Sequence, residues 1–439
     1  MVQALVFTPA SSSRVSYVFR FLGKQALGMP VSITDQRSQF LRATDCLRIH
    51  YGSSPIPEAD VNLPATGLLS ESGIRPIAPK IAGQPPAIAL FPVQSPGFDL
   101  SFDLPSAVFY LLSRYEEYLP FTPDQHGRFP AHQSLAFQHG FLDRPIVNEW
   151  LLRFREMIVQ KGVMLPPNPM NYSFLPTYDI DLAWAFRERP GWYQFGALTR
   201  DSFRWNWSSW RDRIQVLLRQ KQDPYDTYDW LHALHKEYDL KPVYFWLLGD
   251  LGRYDRNINP RRAALRDLIR RIRESYPCGL HPSYRAAGQP DQLAREVDRY
   301  QNITGQKPER SRQHYLRLSF PHTYQYLLKA GIKADFTMGY ASEPGFRASF
   351  AGRFFWYDLS LEKETSLEIH PFCVMDGTFS RYKKWSREET ISYLDALISR
   401  CRQAKAPLTS IWHNSSFYAA GGWESMPEIY QTFLAKASS

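Results

Sequence analysis

From residue 172 onward, short apolar runs alternate with segments in which apolar residues recur every three or four positions. The runs predict strands and the spaced segments predict helices, because side chains alternate faces in a strand and repeat every 3.6 residues in a helix. The predicted strands are 172–178, 243–248, 278–281, 310–316, 334–338, 367–372 and 408–412. The predicted helices are 227–238, 261–276, 292–302, 321–330, 387–402 and 426–437. This alternation is typical of a parallel sheet built from βα units.

The first part of the chain has a different pattern. Proline and glycine interrupt any regular period between residues 52 and 97, which predicts loops, and helices are predicted only at 105–118 and 147–160. The segment Pro166-Pro167-Asn168-Pro169 then makes a stiff break. We therefore predict an α+β domain at residues 1–168 and a second domain at 169–439. We expect the first to pack on the second through residues 113–118.

A tryptophan-rich segment at about 184–221 follows the first predicted strand of the second domain. Its pattern predicts a helical insertion at the C-terminal side of the sheet. We expect its tryptophans to pack against the body of the protein, and the alternative is that they line a sugar-binding groove. These residues are Trp192, Trp205, Trp207 and Trp210.

Composition excludes several classes of protein. With 44% apolar residues in 439, the chain can bury a large core. It begins without the basic and apolar regions of a signal peptide, and no run approaches the roughly 20 apolar residues of a membrane helix. Four widely spaced cysteines without a C-x-x-C pair indicate buried, reduced thiols, which favours a cytoplasmic location.

The net charge of +9 does not by itself indicate a nucleic-acid-binding protein. The arginines alternate with apolar residues at helical spacing, as in 261–271, which favours solvated helix faces over a stripe that binds phosphates. No helix-turn-helix, RNA-binding or zinc-finger motif is present in the sequence. We expect no specific nucleic-acid partner.

Candidate chemistry gathers where the predicted strands end. Asp179 and Asp181 leave the first strand on the same face, and three later strands end at or near His281, His314 and His413. Because the C-terminal ends of parallel strands meet at one edge, we expect these side chains to converge on a metal-dependent hydrolytic site. The alternatives are that the aspartates cap the following helix and that His314 is simply a hydrogen-bonded core residue.

Placed in order, these fragments resemble the polysaccharide deacetylases of the NodB-homology type, carbohydrate esterase family 4, over about residues 172–437. Thr177-Tyr178-Asp179-Ile180-Asp181 stands where the family has Thr-Phe-Asp-Asp, so the resemblance implies that Asp179 is the base and Asp181 a metal ligand. Arg312-Gln313-His314-Tyr315 is similar to the family's Arg-Pro-Pro-Tyr, whose arginine orients the catalytic aspartate. Ser410-Ile411-Trp412-His413 is similar to the strand that ends in the general acid.

The second metal motif departs from the family pattern. Gly279-Leu280-His281-Pro282-Ser283-Tyr284-Arg285 keeps the first metal histidine as His281 but has Arg285 where the family has the second. We expect His314 to replace the missing ligand, with His370 as the alternative. Arg285 is expected to turn away into a carboxylate partner, and the alternative is that its guanidinium occupies the site and pairs with Asp181 in place of metal.

The resemblance implies an irregular seven-stranded (β/α) barrel that holds a divalent metal, most simply zinc. It also implies a hydrolase that removes an acyl group, acetyl in this family, from an N-acylated sugar or polysaccharide. Residues 113–118 and 126–130 are similar in sequence to an extra N-terminal domain found in a divergent bacterial subgroup of the family. The alternative function is a glycan-binding or scaffold protein that lost hydrolysis together with the second histidine.

Two further pairs of residues are expected to be structural. His232 and His235, three positions apart on a predicted helix, are interpreted as surface or interface residues because no metalloprotease signature accompanies them. Glu116 and Glu117, beside Arg114, are predicted to form ion pairs, with a contribution to the domain interface as the alternative.

Overall fold

The structure is a computed structural model and describes residues 3–203, 205, 207–418 and 423–439. Met1 and Val2 of the predicted first domain, Arg204 and Asn206 of the predicted insertion, and residues 419–422 of the second domain lie outside the described residues. In the described part of the chain, no helix has the length and apolar character needed to cross a membrane.

Fifteen strands and thirteen α-helices are described. The strands are β1 (Ala4–Phe7), β2 (Val31–Thr34), β3 (Leu47–Gly52), β4 (Val61–Pro64), β5 (Ile81–Ala82), β6 (Ala89–Leu90), β7 (Phe174–Ile180), β8 (Val243–Leu247), β9 (Cys278–His281), β10 (Arg310–Ser311), β11 (Ala334–Asp335), β12 (Phe354–Asp358), β13 (Lys363–Ile369), β14 (Val374–Met375) and β15 (Leu408–His413). The helices are α1 (Ser13–Leu22), α2 (Arg37–Arg42), α3 (Leu104–Leu112), α4 (Leu135–Gln138), α5 (Ile146–Gln160), α6 (Gly191–Phe203), α7 (Trp207–Leu217), α8 (Tyr228–Glu237), α9 (Ala263–Ser275), α10 (Pro290–Thr304), α11 (His322–Lys329), α12 (Arg387–Gln403) and α13 (Met426–Ser438).

The larger sheet confirms the predicted βα alternation. Its order is β12-β13-β11-β10-β9-β8-β7-β15-β14, and every pairing is parallel except β12 with β13. Each of the seven predicted strands has a counterpart, and all six helices predicted after residue 172 are present. The C-terminal ends of β7, β9 and β15 therefore meet at one edge, as expected for parallel strands.

The predicted seven-stranded barrel needs correction. The sheet has nine strands. The two-residue β14 carries too little pattern to be recognised in the sequence, whereas the aromatic run of β12 was a usable strand signal that the prediction missed. Closure into a barrel is not confirmed, since the described pairings leave β12 and β14 as edges.

The predicted strand 310–316 is also too long. It ends at Ser311, because Tyr315 and Leu316 have left-handed φ values of 60° and 53° that turn the chain sharply.

The prediction of an α+β arrangement for the first part of the chain is wrong. A four-stranded sheet in the order β2-β1-β3-β4 is parallel throughout, and α1 and α2 connect its strands. The missed helix α1 buries Val15, Val18, Phe19 and Leu22, which lie on one face at helical spacing. This part is therefore an α/β unit, followed by the loop-rich stretch that the prolines and glycines predicted.

The N-terminal part packs on the larger sheet through buried ion pairs. The predicted helix 105–118 ends at Leu112, and Arg114 adopts a left-handed φ of 54° before a single 3₁₀ turn at Tyr115–Tyr118. This turn buries Glu117 between Arg114, at 2.8 Å, and Arg347, at 2.5 Å. The predicted ion pairs of Glu116 and Glu117 are confirmed, and the pair of Glu117 with Arg347 joins the two parts. Buried apolar residues of both parts also form one continuous cluster.

The four cysteines are free and buried, as predicted. The arginine-rich helix α9 likewise has the predicted solvated face, since Leu265, Leu268, Ile269 and Ile272 form its buried side. Three of its arginines, Arg266, Arg270 and Arg273, donate hydrogen bonds to the last carbonyls of α10. These cations stabilise the negative end of that helix.

Candidate metal centre

Four strands from one side of the larger sheet, β7, β9, β10 and β15, bring the candidate side chains to one point. Asp179 lies in β7, opposite His413 of the adjacent β15, and Asp181 follows β7 directly. The intervening Ile180 points into the core and is buried, so the two aspartates share the other face. His281 ends β9, two strands away, and His314 lies in the turn after β10.

Asp181, His281 and His314 form a compact donor set. The Nε2 atom of His281 lies 3.2 Å from Oδ1 of Asp181, and Nε2 of His314 lies 3.6 Å from Oδ2. One ligand atom from each residue falls within 4.8 Å of the other two. Ligands at 2.0–2.2 Å around a tetrahedral zinc are separated from one another by about 3.4 Å, which is close to both distances.

The Nδ1 nitrogen of each imidazole donates a hydrogen bond to an acceptor other than Asp181. The Nδ1 atom of His281 donates to the Arg312 carbonyl at 2.5 Å, and Nδ1 of His314 donates to Oδ1 of Asp255 at 2.8 Å. A neutral ring held in this way presents an Nε2 lone pair, the arrangement seen for metal-binding histidines. Oδ1 of Asp181 is itself buried without a hydrogen-bond partner among the described atoms. With both Nδ1 protons donated away from the cluster, the two Nε2 atoms and the Asp181 carboxylate can share one cation, so the three residues fit a divalent metal.

The close approach of Asp181 and His314 shifts the pKa of both residues. Burial raises the pKa of Asp181, but the imidazoles of His314 and His281 outweigh it and hold that pKa well below its usual range. Burial lowers the pKa of His314, whereas Asp181 and Asp255 raise it to about 9. In the metal-free protein at neutral pH, a proton on His314 therefore supplies the positive charge that the carboxylates attract.

Asp179 is held beside the donor set by Arg312. The guanidinium is fully buried, packs over the Phe245 ring and donates to Oδ1 of Asp179 at 2.7 Å. It also donates to Oγ1 of Thr177 at 2.8 Å. Oδ2 of Asp179 remains 3.9 Å from Nε2 of His281 and so faces the cluster. Arg312 thus fixes the orientation of the carboxylate.

His413 approaches the same cluster from β15. Its Nδ1 atom donates to Oδ1 of Asp376 at 2.8 Å, and its Nε2 atom lies 3.9 Å from Oδ2 of Asp181. Burial lowers the pKa of His413, but Asp376 and the aspartates of the cluster raise it to about 9. The imidazolium therefore carries a proton toward the cluster at neutral pH.

His370 and Arg285, the two other residues considered in connection with the missing ligand, both lie apart from the donor set. His370 bonds to Glu368 at 2.8 Å, stacks on the Phe336 ring and is not part of the donor set found among the described residues. Arg285 is exposed, as expected of a residue that turns away. The predicted carboxylate partner is wrong, because no ion pair with Arg285 occurs in the described part of the chain. His314, and not Arg285, lies beside Asp181.

The helical histidines have separate structural roles. His235 is buried and bonds to the Tyr178 hydroxyl at 2.6 Å, so its assignment to the surface is wrong. Burial lowers its pKa to about 3, which keeps the ring neutral. His232 is exposed and bonds to the Tyr276 hydroxyl at 2.8 Å.

Sequence reasoning missed the two carboxylates that orient the histidines. Asp376 follows the apolar run Cys373-Val374-Met375 directly, so its position at a strand end was a usable signal. Asp255 lies in the loop after β8 with no pattern around it, and only the fold brings it to His314.

The N-terminal part supports the turn that carries His314. Arg128 donates to the Tyr315 carbonyl at 2.8 Å, and Arg317 donates to the His126 carbonyl at 3.0 Å. These bonds hold the left-handed residue next to His314, so the cluster is built by both parts of the chain.

Comparisons with known proteins find similarity over only part of the chain. Residues 4–163 match a family of unknown function, DUF7033. No curated protein matches the chain in sequence. Among solved structures, a protein from Mycobacterium smegmatis proposed to be a polysaccharide deacetylase is similar with a TM-score of 0.40 and 13% identity, over 63% of this chain and 87% of that one.

Two other solved structures, a polysaccharide deacetylase and a glucanotransferase, are also similar. The polysaccharide deacetylase from Bacillus cereus gives a TM-score of 0.30 and 13% identity, over 59% of this chain and 85% of its own. The 4-alpha-glucanotransferase from Thermococcus litoralis gives 0.36 and 15%, over 62% of this chain and 38% of its own. All three TM-scores lie below 0.5, so the resemblance across the whole chain is loose.

Proposed function

We propose that this protein is a metal-dependent hydrolase that removes an acyl group, most simply acetyl, from the nitrogen of an N-acylated sugar or polysaccharide. The observation that carries the proposal is the convergence of Asp181, His281 and His314 on one point, with Asp179 and His413 beside them. The sugar and the acetyl group come from the sequence motifs, which are similar to those of polysaccharide deacetylases.

Asp181, His281 and His314 are the residues that would hold the metal, and zinc suits two imidazoles and one carboxylate. When bound, the metal would supply a Lewis acid for the amide carbonyl and would lower the pKa of a water molecule. Asp181 has 38% of its side chain exposed, so the cluster opens to a substrate.

Asp179 is placed to take the proton of the attacking water. Its free oxygen faces the cluster while Arg312 holds the other oxygen, so the carboxylate needs no reorientation before it accepts a proton. His413, with its Nε2 proton directed toward the same cluster, is placed to protonate the leaving amine. A positioned acid or base typically contributes about 10²–10⁴-fold to the rate, so each should be essential for turnover.

The alternative of a non-catalytic scaffold requires that the metal be lost. That alternative supposes that the Arg285 guanidinium occupies the site, but Arg285 is exposed to solvent. His314 completes a donor set without it, so no observation favours the scaffold.

The test is acetate release from N-acetylated oligosaccharides by the zinc-loaded protein. We expect Asp181→Asn to lose both zinc and activity, and His413→Gln to keep zinc but lose at least about 100-fold in kcat. Asp179→Asn should also keep zinc, but it leaves buried Arg312 without its ionic partner, so its thermal melt must be compared with that of the wild type. Zinc-loaded wild type that binds oligosaccharide without releasing acetate would refute the proposal.

A further inference from the structure

The tryptophan-rich insertion folds as two helices with their polar side inward. Asp201 of α6 and Arg213 of α7 form an ion pair at 3.4 Å, with 5% of each side chain exposed. Arg213 also donates to the Gln194 side chain at 2.9 Å. We call residues 191–217 the insertion hairpin, and polar groups hold its two helices together.

The outer side of the insertion hairpin is apolar. Phe195 and Phe203 lie on the same outer stripe of α6 as Trp192, and the rings of Trp205 and Trp207 contact each other edge to face with centroids 6.0 Å apart. Their exposed fractions are 74% for Trp192, 71% for Phe195, 86% for Phe203, 78% for Trp205 and 54% for Trp207. The predicted packing of Trp192, Trp205 and Trp207 against the body of the protein is therefore wrong. Single exposed apolar residues are ordinary, but a continuous aromatic stripe marks an interaction surface.

Positive charge surrounds this stripe. Residues 184–221 contain eight Lys or Arg and three Asp or Glu. Arg200 pairs with Asp201 at 3.3 Å and Lys221 pairs with Asp212 at 2.7 Å, whereas the exposed Arg211 and Arg219 form no ion pair among the described residues. A surface that presents Trp and Phe together with arginine attracts anions and apolar groups at the same time.

We propose that the insertion hairpin docks on an anionic lipid bilayer. Trp and Phe side chains enter the headgroup region of a bilayer readily, because their rings are apolar and the region also accommodates the polar N–H group of Trp. The flanking arginines are attracted to anionic headgroups, with a strength that falls as salt screens them. A second copy of the chain fits this surface less well, because two-fold pairing would bring the same positive charges together.

The hairpin adjoins the candidate metal centre. Its helices begin ten residues after Asp181, and Trp192 and Tyr193 line a cavity of about 260 Å³ together with Asp255, the partner of His314. Docking would therefore bring this edge of the sheet to the bilayer surface. The docking itself does not depend on the proposed hydrolysis and is tested without metal or substrate.

The test is co-sedimentation of the full chain with vesicles of phosphatidylcholine alone or mixed with phosphatidylglycerol. We expect binding to the anionic vesicles that weakens as salt is raised. The variant Phe203→Ala/Trp205→Ala/Trp207→Ala should bind at least about tenfold more weakly, because burial of aromatic area is lost. The matched control Phe137→Ala/Phe355→Ala removes exposed aromatic residues elsewhere and should bind like the wild type. Circular dichroism melts confirm that each variant is folded.

Three results would overturn the proposal. The first is no binding to anionic vesicles at low salt, and the second is binding that the triple substitution leaves unchanged. The third is a self-associated wild type, or one that binds soluble oligosaccharide through the same aromatic residues, with no affinity for vesicles. A second copy or a glycan would then be the occupant of the stripe.

Discussion

Asp376 controls the proton that His413 would deliver. The substitution Asp376→Asn keeps the shape of the side chain and an acceptor for Nδ1 of His413 but removes the negative charge at 2.8 Å. The rise in the pKa of His413 from 6.5 to about 9 corresponds to about 3 kcal/mol in favour of the imidazolium, since each pKa unit is worth about 1.4 kcal/mol. Asp376 is the largest of the influences that raise this pKa, and Asp181 lies farther away, at 3.9 Å.

We therefore expect Asp376→Asn to lower the pKa of His413 by at least about one unit, or about 1.4 kcal/mol. The direct assay is an NMR pH titration of the histidine rings in the metal-free protein. If the zinc-loaded protein has the proposed activity, the activity that needs the imidazolium should fall with rising pH, and this fall should move to lower pH in the variant.

The matched control is Asp358→Asn, which also replaces a buried aspartate but has no contact with the cluster. It should leave the titration of His413 and the alkaline limb of activity unchanged. If Asp376→Asn leaves both unchanged too, the assignment of His413 as an acid held by Asp376 is refuted.

Three further predictions concern the metal and the fold. Calorimetry should detect zinc binding by the wild type that Asp181→Ala abolishes and that Arg285→His leaves unchanged, and binding seen only with Arg285→His would contradict the donor set. Because the pKa of His314 is about 9, zinc must displace the proton of its imidazole when it binds. The affinity for zinc should therefore rise about tenfold per pH unit below pH 9, with one proton released per zinc bound. Equal heats of binding in buffers of different ionisation enthalpy would count against this. Glu117→Gln leaves two buried guanidiniums underpaired and should lower the free energy of unfolding by about 3–5 kcal/mol in urea. The exposed control Glu156→Gln should change it by less than about 0.5 kcal/mol, and a similar small effect of Glu117→Gln would show that the pairs contribute little.

The sequence was most informative where the local pattern repeats. Period-two and helical spacing predicted the βα alternation after residue 172, because strands and helices buried on one face must repeat their apolar residues. It was least informative for short strands such as β14 and for α1, which was not among the helices predicted for the first part of the chain.

Strand ends explain why the candidate site could be assembled before the fold was known. Asp179, Asp181, His281 and His413 each end a recognisable apolar run, and parallel strands carry such ends to one edge. The choice between His314 and His370 could not be made in this way, because both follow apolar strands. It depends on the left-handed turn at Tyr315, which directs His314 toward Asp181 while His370 remains against Phe336.

The sequence by itself determined which residue types stand at the strand ends, and with them the candidates for the donor set and for the acid–base pair. Only the tertiary structure decided that Arg285 faces solvent, that Asp255 and Asp376 orient the histidines, and that Trp192, Trp205 and Trp207 of the insertion point outward. The physical reason is that these outcomes depend on contacts between segments far apart in the chain. A local pattern records the faces of one helix or strand, but not the neighbour against which each face packs.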